Sequence, residues 1–583
     1  MEAIGDRFET IARAQPGRQA ISAGGQQASY GELAAHSARI AYHLLQMGVQ
    51  QGDRIALCFE HGPAAFAAWL GVLKCGAIAV PLVPTHPVER LRAFVSDASA
   101  RIVLADIRSL EKASSVADGF ADVVDVDSIG DASPRSWPRI GPADAATILY
   151  TSGTSGKPKG VIQTHGNIVK KVDVCAAAFG TRPSDRFSLL TWYAMAQGTI
   201  VTANALLSGA TLCAFNVRQE GLSGLADWMV QERISIYVSV SSLFRSLART
   251  LESTRRFPDV RLVRIGGERV TVEDVAAYRR LFPPPTRLLV SYAATEAGPI
   301  ALHEIGESET FPDGVVPAGK ALDGVTVLIC DEHGRRLPEG NEGEVVVRSA
   351  FLSPGYWGQP AQTAQAFTAS SDASGEREYR TGDLGRIRGG RIEHLGRIGN
   401  RVQIGGLRIE LEEIESALFA CPGVLVAAAL VKPRGDDELQ LVAYVQPLDG
   451  CRPTVDTLRA SLGTRLPEQM IPSRFVFLED MPLSGSGKVD RQRLPDPAAD
   501  RPTLSSDWAE PITPAERVVA ETVRDILGIE RVGRQDAFLS IGGDSLRADQ
   551  VASRLSKRYG KQISLGDLLN ASTVANIATL VES

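Results

Sequence analysis

Tyr150-Thr-Ser-Gly-Thr-Ser-Gly-Lys-Pro-Lys-Gly160 closes an apolar run that begins at Ile148 and reads as a strand. Three glycines leave this backbone free to wrap a small anion. The hydroxyls of Thr151, Ser152, Thr154 and Ser155 and the N–H groups of Gly153 and Gly156 offer donors, and Lys157 adds charge. A glycine-rich loop after a strand is the usual place for a phosphate in a parallel α/β sheet. A Walker loop would need glycine where Thr151 stands and Ser or Thr where Pro158 stands, so that reading fails at both ends. The bland alternative is a surface linker of small residues, which seldom ends in Lys-Pro-Lys-Gly.

The surroundings supply the strands and helices such a loop needs. Residues 53–58, 77–82 and 101–105 read as strands, and 64–73 and 87–98 between them as helices. Ser29-Tyr-Gly-Glu32 is a capping box ahead of a helix that carries Leu33, Ile40, Leu44 and Met47 and stops near Gly48. Strand–helix alternation implies parallel sheets covered by helices. It resumes at 148–151, 236–240, 262–265 and 288–292. From about residue 316 the pattern changes to hairpin-forming strands at 325–330, 344–348 and 386–394. Residues 400–492 read as a small α+β unit, with a helix at 412–420 and strands at 424–431 and 439–445. Residues 495–511, rich in Pro, Asp and Ser, read as a linker. Only helical patterns come after it, at 514–527, 545–559 and 572–581.

With 583 residues, more than one core is required. Hydrophobic residues make up 44% and charged residues 22%, the balance of a soluble globular protein. A formal charge of -6 gives no bulk attraction to nucleic acid or to an anionic membrane. The start lacks a basic then apolar leader, and no apolar run is long enough to cross a bilayer, so a cytoplasmic location is expected. The seven cysteines are scattered without a CxxC pair, which disfavours a zinc ribbon or a disulfide framework; Cys75 and Cys330 read as core residues.

Further motifs accompany the loop in order: Gly266-Gly267-Glu268, Ser291-Tyr-Ala-Ala-Thr-Glu-Ala297, Tyr379-Arg-Thr-Gly-Asp-Leu384, Gly396-Arg397, Gly406-Leu-Arg-Ile-Glu-Leu411 and Pro482-Leu-Ser-Gly-Ser-Gly-Lys488. Each alone has an ordinary reading: a plain turn at Gly266, an Asp in a β-turn at Asp383, a solvated loop lysine at Lys488. Together, over about residues 5–495, the chain resembles the adenylate-forming superfamily of acyl-CoA ligases, luciferases and nonribosomal peptide synthetase adenylation domains. The fold this implies is a large α/β N-subdomain (1–398) of parallel sheets with helices plus a β-rich part, then a small α+β C-subdomain (399–494).

The resemblance implies ATP and Mg²⁺ and assigns roles. Residues Thr151, Ser152, Gly153, Thr154, Ser155, Gly156 and Lys157 would cradle phosphates, and Gly267 and Glu268 would sit beside adenine and the acyl pocket. Tyr292 would stack on adenine, Thr295 would touch the α-phosphate and Glu296 would hold Mg²⁺. Asp383 and Arg397 would bind ribose or phosphate, and Lys488 would bridge the acid and the α-phosphate. Two departures stand out: Ala293-Ala294 where Gly and often Pro are usual, and Gly399-Asn400 at the hinge where Asp or Lys is usual.

Phe538-Leu-Ser-Ile-Gly-Gly-Asp-Ser-Leu546 resembles the phosphopantetheine site of peptidyl and acyl carriers. Ser545 would carry 4'-phosphopantetheine on an all-α four-helix bundle (512–583), reached through the linker 495–511. As a bland alternative, Asp544-Ser545 is simply a helix N-cap. Because Leu546-Arg547 comes after Ser545, the G-x-S-x-G elbow of a hydrolase is absent. The implied activity is that of an acid–thiol ligase. A small carboxylic acid is activated and loaded in cis, after a phosphopantetheinyl transferase has armed the carrier. A downstream synthase or tailoring enzyme would then take the thioester, with no nucleic-acid or membrane partner. The linker would have to let the carrier travel.

In α-amino-acid-activating relatives an Asp pairs with the α-ammonium; residues 190–198 here contain no acid. A buried ammonium without a carboxylate is costly. The expected substrate is therefore an aryl, short acyl, hydroxy or β-amino acid, lined by Tyr193, Ala194, Gln197, Ile265 and Ser291. The competing readings are an α-amino-acid-activating didomain with an unusual pocket, an acyl-CoA ligase, and a non-catalytic scaffold that presents the carrier.

Overall fold

Strands Arg54–Cys58, Ile78–Pro81 and Ile102–Ala105 are almost wholly buried aliphatic segments, and such strands need cover on both faces. The computed structural model describes residues 2–130, 137–151, 158–251, 254–312, 314–369, 376–398, 401–404, 407–434, 438–482 and 489–582. Two compact units emerge, one of residues 1–151, 158–215 and 227–399, the other of 152–157, 216–226 and 400–583.

In the first unit a six-stranded sheet runs in the order Asp122–Asp125, Ile102–Ala105, Arg54–Cys58, Ile78–Pro81, Ala145–Thr151, Lys159–Thr164. All of its pairs are parallel except the last. Helix Pro63–Lys74 packs against helix Tyr30–Gln46, whose capping box closes as read, with Ser29 accepting from the Glu32 N–H. At Gly71 a Cβ would lie 2.9 Å from Ile40, so only glycine lets these helices come this close. A second, nine-stranded sheet contains the parallel run Ile236–Val240, Leu262–Gly266, Arg287–Ala294, and then the antiparallel Gly298–Glu304. Helix His165–Phe179 shares one core with Val238, Leu262 and Leu289 of this sheet. The β-rich part is a five-stranded sheet; its long hairpin, Arg377–Arg388 with Arg391–Arg397, turns at Gly389 and Gly390, inside the span expected to be strand. All seven cysteines are free, and Cys75 and Cys330 are buried as expected. Among the described residues no helix is long and apolar enough to cross a membrane.

The second unit contains a small α+β core, with helix Leu411–Phe419 against the sheet Val424–Arg434, Glu438–Pro447, Arg474–Phe477. It also contains a bundle of helices Pro514–Leu527, Ser545–Tyr559, Leu565–Ala571 and Val574–Glu582 around Val519, Val523, Phe538, Val551 and Ile577. Thr513 and Pro514 open the first of these helices and left-handed Gly528 closes it. The seven-residue helix Leu565–Ala571, outside the three periodic stretches, is the fourth helix of the expected four-helix bundle.

The segment 495–511 differs from the free tether expected. Thr503 O accepts from Val455 N at 3.0 Å, and Ser505 N donates to Asp456 Oδ2 at 2.7 Å, which ties the segment to the α+β core. Ala499 O and Ala509 O accept from Glu530 and Arg534, which ties it to the bundle. Arg501 reaches both carboxylate oxygens of Asp536, at 2.6 and 2.9 Å, and Ser506 O at 2.8 Å. Asp536 is fully buried. Stripping a partner from an enclosed ion pair costs about 3–5 kcal/mol. Arg501→Ala should therefore lower the melting temperature of the bundle and speed protease cleavage within 495–511, read by calorimetry and mass spectrometry of the fragments.

Buried histidines predict the acid behaviour of the first unit. His165 accepts from Ile4 N through Nδ1 at 3.3 Å, and burial holds its pKa down at about 4. Burial also lowers His61 to about 4. The unfolded chain takes up these protons near the ordinary pKa of about 6.5 while the fold refuses them. Stability therefore falls as pH drops from about 6.5 towards 4, by on the order of 3 kcal/mol for His165. The melting temperature should fall less steeply over this window in His165→Asn than in the unaltered protein, measured by calorimetry at a series of pH values.

Candidate functional site

The expected phosphate loop spans a hairpin. Thr151 ends one strand and pairs across an antiparallel ladder with Lys159, and Tyr150 pairs with Gly160. Ser152, Gly153, Thr154, Ser155, Gly156 and Lys157 lie outside the described residues. A Walker loop runs from a strand into a helix; here strand returns to strand, so the flanks independently exclude that geometry.

The motif after Ser291 and the motif at Asp383 meet in the first unit. The Tyr292 hydroxyl donates to Asp383 Oδ2 at 2.6 Å, and the His394 ring stands 5.5 Å from that of Tyr292, with Nε2 3.8 Å from Asp383 Oδ1. Asp383 N donates to Thr381 Oγ1 at 3.0 Å. Asp383 lies inside the strand Arg377–Arg388, not in a β-turn, and pairs in register with Arg397. The side chain of Arg397 lies outside the described residues.

Beyond Tyr292, the Thr295-Glu296 pair is held by partners the sequence reading missed. Glu296 is buried; its Oε1 accepts from Tyr356 OH at 3.1 Å and its carbonyl from Ser353 N at 2.8 Å. Thr295 O accepts from Gln163 Nε2 at 2.9 Å, and Gln163 Oε1 accepts from Lys171 Nζ. Burial pushes the Lys171 ammonium down to about 8, against the pull of the nearby Glu296 carboxylate. Lys171 runs over Gly298, where a Cβ would sit 2.4 Å from its Cε and where φ is +77°. The available signal was a lysine between Ile168, Val172 and Cys175 in the apolar stripe of helix His165–Phe179, a position a solvated lysine would avoid. Among the described residues no three His, Cys, Asp or Glu side chains gather as a metal cage. A single hard carboxylate such as Glu296 suits magnesium shared with phosphate oxygens, not an all-protein site.

The five expected pocket residues divide. Ser291 pairs in register with Gly266, where a Cβ would stand 2.4 Å from Ser291 Oγ. Gln197 Oε1 lies 3.7 Å from the Cβ position at Gly267, so Ser291 and Gln197 converge on the Gly266-Gly267 turn. Tyr193 instead belongs to the core: it is 3% exposed, its ring is 5.8 Å from that of Phe66, and its hydroxyl points to Leu57 O. Ala194 is buried beside it in sequence. Ile265 is fully buried, and strand alternation turns it to the face opposite Gly266. Glu268 caps local structure, its Oε2 accepting from Ser242 N at 2.8 Å at the start of helix Ser241–Thr250.

In the second unit Ser545 is the first residue of its helix and half-buried. Asp544 supplies the cap, accepting from Arg547 N at 2.9 Å, so the Ser545 hydroxyl is not consumed by capping. Arg547 bonds Asp544 and Glu438, and Arg434 donates to Gly542 O and Leu527 O at 3.1 and 2.8 Å. This binds the Ser545 end of the bundle to the hairpin of the α+β core. Lys488 and Gly399-Asn400 lie outside the described residues.

Residues 8–357 match the family of AMP-binding enzymes, 413–488 the AMP-binding enzyme C-terminal domain and 517–581 the phosphopantetheine attachment site. The chain is 32% identical to gramicidin S synthase 2 of Aneurinibacillus migulanus and to surfactin synthase subunit 3 of Bacillus subtilis, over 100% and 99% of its length. It spans only 13% and 45% of those two proteins. A solved NRPS protein containing adenylation and PCP domains, bound to a vinylsulfonamide inhibitor, superimposes with a TM-score of 0.83 at 25% identity, over 99% of this chain and 96% of that one. Three matched segments in this order, over the sheets and motifs described, place the chain in the AMP-binding enzyme family, as an adenylation domain followed by a phosphopantetheine carrier.

Proposed function

We propose that this chain activates a carboxylic acid with ATP and loads it onto its own carrier. The observation that carries this reading is the presence, in one chain, of the AMP-binding region, its C-terminal domain and the phosphopantetheine site. In the first step a carboxylate oxygen attacks the α-phosphorus, forming the acyl-adenylate as the bond to pyrophosphate breaks. In the second, a carrier thiol attacks the acyl carbon, and AMP and the thiol proton leave.

The residues divide this work. The loop 151–157 binds phosphates. Tyr292 and Asp383, already bonded to each other, orient the nucleoside: Asp383 accepts from ribose hydroxyls and Tyr292 presents its ring to adenine. Lys488 offsets the repulsion between the incoming carboxylate and the α-phosphate. Glu296, with phosphate oxygens, would hold Mg²⁺, which supplies charge neutralisation at the reacting phosphate. Ser545 would bear 4'-phosphopantetheine, which supplies the thiol; its phosphate would meet the positive end of helix Ser545–Tyr559. An intramolecular thiol acts at an effective concentration of roughly millimolar. A phosphopantetheinyl transferase is then required upstream and an enzyme that consumes the thioester downstream. The acid-free stretch 190–198 supports a substrate without an α-ammonium, that is an aryl, short acyl, hydroxy or β-amino acid.

The test is ATP–pyrophosphate exchange over a panel of acids with and without an α-amino group. Exchange should favour acids without it, and exchange mainly with α-amino acids would overturn that part. Lys488→Ala should lower exchange on the order of 10²–10³-fold. Ser545→Ala should leave exchange intact and abolish loading, read as the missing mass increment on the carrier. Asp383→Ala should raise the KM for ATP at least about tenfold, the effect of losing a charge-assisted contact.

A further inference from the structure

The face of the nine-stranded sheet that carries Ser291 also carries an arginine the fold leaves unanswered. Arg264 stands two residues before Gly266 on the strand Leu262–Gly266, and alternation puts it on the same face as Gly266 and, through the register, Ser291. Arg264 Nη1 and Ser291 Oγ are both enclosed, and neither has a hydrogen-bond partner among the described residues. No ion pair of Arg264 exists among those residues either. Two orphaned donors on one face of adjacent strands are costly unless something absent from the chain completes them.

The charged groups around Arg264 do not complete it. Cys175 approaches from helix His165–Phe179. Lys171, one turn earlier on that helix, is a cation bonded to Gln163 and supplies no anion either. Burial pushes the Cys175 thiol up to about 11, so it is neutral and gives Arg264 no counter-anion. Burial lowers Arg264 only to about 10, so it stays charged at neutral pH. Arg264 therefore keeps its charge with no anion acting on it among the described residues. Ser291 begins the motif that leads to Thr295-Glu296, so the face shared by Arg264 and Ser291 lies a few residues behind the expected reacting end of the acid.

We propose that Arg264, with Ser291, receives a second carboxylate on the substrate, which makes the acid a dicarboxylic one. The planar guanidinium matches a carboxylate with parallel donors, and the Ser291 hydroxyl supplies a third. The carboxyl that reacts is the one at the Thr295-Glu296 end; the other stays ionised against Arg264. This assignment rests on the adenylation reading above and narrows its substrate class.

The full chain is assayed with matched pairs that differ by a carboxylate in place of a methyl: succinate and butyrate, adipate and hexanoate, isophthalate and m-toluate. Each acid is tested in ATP–pyrophosphate exchange and by calorimetric binding without ATP. In the unaltered protein at least one diacid should exceed its partner by about 100-fold or more in kcat/KM, as expected when the analogue leaves buried donors unanswered. Arg264→Leu should collapse that ratio, and Arg264→Lys should restore part of it. A preference for the monoacid in every pair, or a ratio unmoved by Arg264→Leu in a protein that still folds, overturns the inference. If Arg264→Leu does not fold, the unaltered protein and Arg264→Lys carry the test. Diacid binding that depends on Arg264 without any exchange would overturn the adenylation reading and leave the inference standing. Exchange with monoacids alone would do the reverse.

Discussion

The backbone contact between Gly266 and Ser291 is the constraint on which the site depends. A Cβ at Gly266 would lie 2.3 Å from Ser291 O, closer than any side chain permits. Glycine there lets the strands Leu262–Gly266 and Arg287–Ala294 pair in register up to Gly266 and Ser291, the carboxyl end of the first. Ligands of parallel sheets bind beyond such ends. The chain leaves the first strand at Gly266-Gly267-Glu268, while the second carries Tyr292 on to Ala294 before Thr295 and Glu296, and the candidate site is built around these two segments. Gly298 repeats the device a few residues later, where it makes way for Lys171.

Burying a sheet on both faces leaves few places for charge, and the charges that are buried here are handled differently. Asp185 is answered in full: Arg261 donates to both its oxygens and Ser235 to one. Glu296 is held by Tyr356 with Lys171 nearby. Asp383 accepts from Tyr292 and faces His394. Arg264 has no such counterpart among the described residues. Asp185, answered in full, lies in the frame, and Arg264 stands two residues from the end of its strand, which is how a frame differs from a site that awaits a ligand.

Much of this was legible in the sequence, for reasons that can be named. The bundle helices Pro514–Leu527 and Ser545–Tyr559 carry their own caps at Thr513 and Asp544 and stop at Gly528 and Gly560, so their ends were readable. Helix Leu565–Ala571 is about two turns long, too short for its periodicity to register. The motifs that carry Tyr292 and Asp383 lie far apart in the sequence, and the fold brings those two side chains together. The pocket residues were harder. Ile265 and Tyr193 are apolar neighbours of the right segments, but only strand register and core contacts tell which face they take. Lys171 and Arg264 were missed because a lone cation in a helix or strand defaults to a solvated position, and only the fold shows Lys171 and the Arg264 Nη1 enclosed.

The linker leads to a consequence for recombination. Residues 495–511 contribute Arg501 to the bundle and Thr503 and Ser505 to the α+β core. A carrier exchanged at residue 512 would leave its own counterpart of Asp536 without the arginine that completes it, and the foreign bundle would be docked on the wrong strap. The natural seam therefore lies upstream of 495, and a graft that moves the strap with the bundle keeps Arg501 and Asp536 as one inherited piece.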